Sequence, residues 1–86
     1  MQYILSKRFE KDFAKLPRSI KTKVIIVLSE FANDPANPTL HGHQLKGRWI
    51  GHSSIDVASD TRAIFHIVEK DLVRFVAIGS HSQLYR

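Results

Sequence analysis

The chain has 86 residues, 43% of them hydrophobic, and no cysteine, which allows one modest core and excludes disulfides and thiolate metal sites. No apolar run approaches the roughly 20 residues that cross a bilayer, and residues 1–8 lack the apolar stretch of a signal peptide. A single cytoplasmic domain over residues 1–86, with no membrane partner, is therefore expected, and its net charge of +5 fits either a polyanion such as nucleic acid or a solvated basic face.

Gln2-Tyr3-Ile4-Leu5 suits a short opening strand. Ser6 can cap a helix in which Phe9, Phe13 and Leu16 form one apolar stripe, ended by Pro17. Ser19 is the expected cap of a second helix, with Ile20, Val24, Val27, Leu28 and Phe31 at helical spacing. Asn33-Asp34-Pro35 stops it, and Asn37-Pro38 extends the loop. Lys7, Arg8, Lys11, Lys15, Arg18, Lys21 and Lys23 make this helical hairpin the basic part of the chain.

The period then changes to two. Residues 44–50 read as a strand broken by Gly51, and Ser53-Ser54-Ile55-Asp56-Val57-Ala58 alternates, with Ile55 and Val57 opposite Ser54 and Asp56. Ser59-Asp60 reads as a turn. Residues 62–68 and 72–78 are β-branched and aromatic runs around a tight turn at Glu69-Lys70-Asp71. The order β-α-α-β-β-β-β predicts an α+β fold, a helical hairpin packed on one face of a mainly antiparallel twisted sheet. Polar strand residues must then collect on the opposite face.

Five histidines are available. His41-Gly42-His43 has a spacing used by metal ligands, but no third ligand follows in register, so no metal or other cofactor is expected. No nucleophile elbow and no phosphate-cradling glycine motif is present. An acid–base site remains. Metal-free RNA cleavage needs a base for the 2′-hydroxyl, an acid for the leaving 5′-oxygen and a cation for the phosphorane, and His43, Asp56, Asp60, Arg62 and His81 are candidate parts. Trp49 and Phe65 read as packing residues, His41 and His52 as ordinary surface histidines. His66 shares strand parity with Arg62 and Ile64.

Three segments carry a family resemblance: His43-Gln44-Leu45-Lys46-Gly47-Arg48-Trp49-Ile50-Gly51, Asp60-Thr61-Arg62-Ala63-Ile64-Phe65 and Ile78-Gly79-Ser80-His81-Ser82-Gln83-Leu84-Tyr85. Together with Leu5-Ser6-Lys7-Arg8-Phe9-Glu10-Lys11-Asp12 they resemble the YafQ branch of the RelE/ParE toxin superfamily over almost the whole chain. The resemblance implies a RelE-like toxin domain of a type II toxin–antitoxin system, acting as a ribosome-dependent mRNA endonuclease. It further implies a cognate antitoxin as partner, the ribosome and mRNA as targets, and operator DNA contacted only through the antitoxin complex.

It also implies site residues. His43 matches a loop histidine before the sheet, Asp60 a turn aspartate and His81 the C-terminal histidine. Tyr85 stands at an aromatic position four residues after His81, and Arg62 at the position of an arginine beside the scissile phosphate. One departure stands out. Ser54-Ile55-Asp56 replaces an Asp-x-His pattern, so a strand histidine of the family is absent. ParE-like members that inhibit DNA gyrase without nuclease residues form the alternative, and a chain with decayed catalysis acting only with its antitoxin is a third.

Overall fold

A computed structural model describes residues 1–85. β1 (Gln2–Leu5) leads through α1 (Lys7–Ala14) and α2 (Arg18–Asn33) to a one-turn 3-10 helix at Pro38–Leu40. β2 (His43–Gln44) and a second 3-10 turn at Gly47–Trp49 precede β3 (Ser53–Ala58), β4 (Thr61–Glu69), β5 (Leu72–Gly79) and a terminal turn of helix, α3 (His81–Leu84). The sheet order is β1-β5-β4-β3-β2. β1 runs parallel to β5, and the other pairs are antiparallel. The expected α+β architecture is present, with departures of detail.

Local chemistry explains most boundaries. Ser6 caps α1 by accepting from Phe9 N at 3.0 Å, while its hydroxyl donates to Val76 O at 3.1 Å. That one side chain therefore ties the helix start to β5. α2 begins one residue before the expected Ser19 cap, with Pro17 at the N-cap and no side-chain hydrogen bond there. Proline at φ −59 sets the chain for helix entry without needing a donor.

The hairpin packs on one sheet face. Phe9, Val24, Val27, Leu28 and Phe31 from the helices meet Ile55, Val57, Ala63, Val73, Phe75 and Ile78. Phe75, fully buried, is the hub, with ring centroids 5.2 Å from Phe31, 5.3 Å from Phe65, 5.7 Å from Tyr3 and 5.8 Å from Phe9. Truncating such a ring to alanine costs about 3–5 kcal/mol.

The opposite face is not simply polar. Leu45, Trp49, Ile64, Ala77 and Leu84 form a second buried cluster there. The register jumps from Ile64↔Ala77 to Phe65↔Phe75, so Val76 is an extra residue in β5. This bulge lets Phe75 face the helices while Ala77 faces the second cluster. Ser54, expected on a solvated face, is fully buried, and its Oγ has no hydrogen-bond partner among the described residues.

The expected strand over residues 44–50 is cut to His43–Gln44. Gly47 (φ 64) and Gly51 (φ 84) adopt left-handed backbone and fold the segment into a turn. Leu45 N donates to His52 O and His52 N to Trp49 O, each at 2.9 Å, which closes the turn and swings Trp49 beneath α3. α3 itself was not foreseen. Ser80 and Gln83 form a capping box at its start. No helix is long and apolar enough to cross a membrane among the described residues.

Candidate functional site

The site is built at the sheet end where β3 and β5 finish and β4 begins. Asp56 pairs with Arg62, and Arg62 with Gly79, so these positions form one row across three strands. Directly opposed positions on antiparallel strands point to the same face. Arg62 Nε donates to Asp56 Oδ1 at 3.1 Å. Both side chains are about 30% exposed, so the pair is anchored yet open to a ligand.

β5 leads from Gly79 straight into α3, which carries His81 to the same end. Asp60, in the β3–β4 turn, accepts from the His81 backbone N at 3.4 Å, a long bond that nonetheless ties the turn to the helix start. A Cβ on Gly79 would stand 2.7 Å from Gln83 Oε1, so the capping box requires glycine or a shift of Gln83. The rings of His81 and Tyr85 lie 4.6 Å apart at 32°, a tilted stack that orients both. Trp49 Nε1 donates to Leu84 O at 2.8 Å and holds α3 from below.

Of the expected residues, the structure brings Asp60, Arg62, His81 and Tyr85 to one end. His43 is set apart. It pairs with Ser54, in the row that continues through Ile64 and Ala77, one pleat from the Asp56–Arg62–Gly79 row. Its Nδ1 lies 3.2 Å from the His41 carbonyl oxygen. Arg62 bridges to Asp56, not to Asp60.

Sequence reasoning passed over His41. Its Nδ1 lies 3.0 Å from Asp56 Oδ2, so Asp56 holds His41 with one oxygen and Arg62 with the other. No local signal marks this contact, because it joins a loop to a strand across 15 residues. Asp56 thus links the loop histidine to the guanidinium of β4.

A second histidine group lies further along the face. The His52 and His66 rings are 5.2 Å apart, and His66 Nε2 is 3.4 Å from Arg74 Nη1. Burial first, then the charges of His52 and Arg74, lowers the His66 pKa from its ordinary 6.5. His52 and His66 border an open cavity of about 420 Å³ lined by Ile50, Ser53 and Ile67 among others.

The basic helices reach the site through Arg8. Its Nε pairs with Asp12 Oδ2 at 3.4 Å, and Asp12 also accepts from Ile78 N at 3.2 Å, docking α1 on the end of β5. The guanidinium carbons of Arg8 and Arg48 each lie 5.6 Å from the Trp49 ring centre. Arg8, Lys15 and Gln83 line a cavity of about 200 Å³ beside α3. A polyanion at the sheet end would find these cations next to it.

The family model described as the bacterial toxin of type II toxin–antitoxin systems, YafQ, matches residues 1–86. The fold is similar to the crystal structure of YafQ from E. coli strain BL21(DE3), with TM-score 0.82, 24% identity, and 99% of this chain and 98% of that chain covered. A conserved hypothetical protein from Helicobacter pylori gives TM-score 0.76 at 27% identity, with 99% of both chains covered. In the E. coli DinJ–YafQ toxin–antitoxin complex the match has TM-score 0.79 and 24% identity, covering 99% of this chain and 97% of that chain. No curated protein sequence matches significantly.

Proposed function

This chain belongs to the YafQ family of bacterial toxins from type II toxin–antitoxin systems, and we propose that it is a ribosome-dependent mRNA endonuclease working by metal-independent acid–base catalysis in the cytoplasm. The observation that carries the proposal is the convergence at one sheet end of a guanidinium, Arg62, and an imidazole on a short helix, His81, whose backbone N bonds Asp60. Arg62 neutralises the charge that gathers on phosphorus as the 2′-oxygen attacks. His81 supplies one half of the proton relay, and Tyr85, stacked against it, offers a ring on which a base can lie. The segment that carries His41 and His43 borders the same face and supplies the other half. The product is a 2′,3′-cyclic phosphate and a 5′-hydroxyl.

The partners follow from the family. A cognate antitoxin holds the toxin inactive, and operator DNA is met only through that complex. The cationic rim of Arg8, Lys15 and Arg48 suits ribosomal RNA, a contact that weakens as salt rises.

Translating a reporter mRNA in a reconstituted system with the purified protein, and mapping new 5′ ends, tests the reading. Cleavage should need ribosomes and fall about 100-fold or more in His81→Ala. A variant that cuts at the wild-type rate would place the chemistry elsewhere. Asp56 standing in place of a strand histidine favours one alternative, a ParE-like inhibitor of DNA gyrase. In that case the wild-type protein leaves mRNA whole and blocks supercoiling by gyrase.

A further inference from the structure

We propose that His41, held by Asp56, is the general base of this site. The inference rests on the endonuclease reading and names the group that takes the 2′-hydroxyl proton.

The two loop histidines differ in where they reach. His43, itself exposed, pairs with Ser54 in the row that continues through the fully buried Ile64 and Ala77, one pleat from Arg62. His41 instead bonds Asp56, so its ring sits against the row that holds Arg62 and Gly79. Asp56 and Gly79 are two inter-strand spacings apart, about 10 Å, with Arg62 between them. An in-line displacement at phosphorus needs its base and its acid on opposite sides of the phosphate. His41 is held on β3 by Asp56, and His81 follows β5 with its backbone N bonded to Asp60 in the β3–β4 turn, so the two imidazoles enter from the strands on either side of β4, which carries Arg62.

Asp56 fixes the chemistry of the ring. With Nδ1 3.0 Å from the carboxylate, His41 is set to carry its proton on Nδ1 and to leave the Nε2 lone pair free. The side chain is 70% exposed, so Nε2 is open to a substrate. Asp56 also binds Arg62, which balances its charge and lets the carboxylate stand beside a phosphate. The charged groups facing His41 are Asp56 from β3, Arg62 from β4 through that carboxylate, and Glu30 from α2, which lines the same open cavity of about 450 Å³. In the step itself Nε2 takes the 2′-hydroxyl proton and the 2′-oxygen bonds to phosphorus. The bond from phosphorus to the 5′-oxygen then breaks, and His81 gives its proton to that oxygen. Asp56 is a positioning residue and touches no reacting atom.

The test measures single-turnover cleavage on translating ribosomes between pH 5.5 and 8.5 for the wild type, His41→Ala, His43→Ala, Asp56→Asn and His41→Ala with Asp56→His. His41→Ala should lower the rate about 100-fold or more and remove the rise of rate with pH on the acid side. Asp56→Asn should lower it about 10- to 100-fold. The double variant, which returns an imidazole to the strand, should recover part of the loss. Unchanged melting curves and retained binding to ribosomes keep misfolding from passing for lost catalysis. If His41→Ala keeps the wild-type rate and profile while His81→Ala is inactive, the dyad is wrong and the nuclease reading stands. If His43→Ala alone removes the acid-side limb, the base is His43. If the wild type cuts no mRNA, both the dyad and the reading beneath it fall.

Discussion

Trp49 Nε1 donates to the carbonyl oxygen of Leu84 at 2.8 Å, and both residues are buried. The bond connects the glycine-bounded turn to the last residue of the four-residue helix that carries His81. A helix this short has little stability of its own and depends on what it packs against.

Trp49→Phe keeps an aromatic ring in a smaller volume and removes the donor, leaving a buried carbonyl without its partner. The expected cost is about 1–3 kcal/mol in urea-induced unfolding. Cleavage should fall further than folding does, because His81 loses its platform. Equal activity per folded molecule would show that α3 holds its place without this bond.

Arg62→Gln separates the two roles of the guanidinium. The Asp56–Arg62 pair is partly exposed, so its loss should change stability by less than about 1 kcal/mol. Cleavage should drop about 100-fold or more if the group faces the phosphorane. A thermal melt and the translation assay on one preparation give both values. A variant as active as wild type would remove Arg62 from the site.

The His66 pKa lies below its ordinary 6.5, with burial as the main cause. The folded protein therefore binds this proton less readily than the unfolded chain does. Its contribution to stability is fully present above about pH 6.5 and is lost as pH falls from there toward the lower folded value. His66→Gln should flatten that part of the stability–pH curve, measured by urea unfolding between pH 5 and 8. A curve with the same slope as wild type would assign the acid sensitivity to other groups.

Much of this was legible in the sequence. Phe9, Phe13 and Leu16, then Val24, Val27, Leu28 and Phe31, mark both helices because burial on one sheet face forces their spacing. The Glu69-Lys70-Asp71 turn is present, with Asp71 at φ 63. Ala63-Ile64-Phe65 already broke the alternation, a sign that both faces of β4 are covered. Ser80-x-x-Gln83 is a capping-box spacing that could have revealed α3. Two things had no local signature. β1 pairs in parallel with a strand at the far end of the chain, and His41 finds Asp56 through tertiary structure alone. His43, Asp60, Arg62 and His81 were therefore legible as acid–base candidates and the resemblance added Tyr85, while His41, which neither marks, came from the fold.

The pairing of β1 with β5 also sets an order of events. Ser6, near the start of the chain, is bonded to Val76 across 70 residues, and Leu5 sits beside Phe75. On a ribosome the first strand emerges early and waits, because its sheet neighbour among the described residues is β5, made about 70 residues later. The helices wait with it, since the wall they lie on is centred on Phe75. Closing so long a loop is slow compared with forming local hairpins. The sheet end that carries Arg62 and His81 is thus assembled only once β5 has been synthesised.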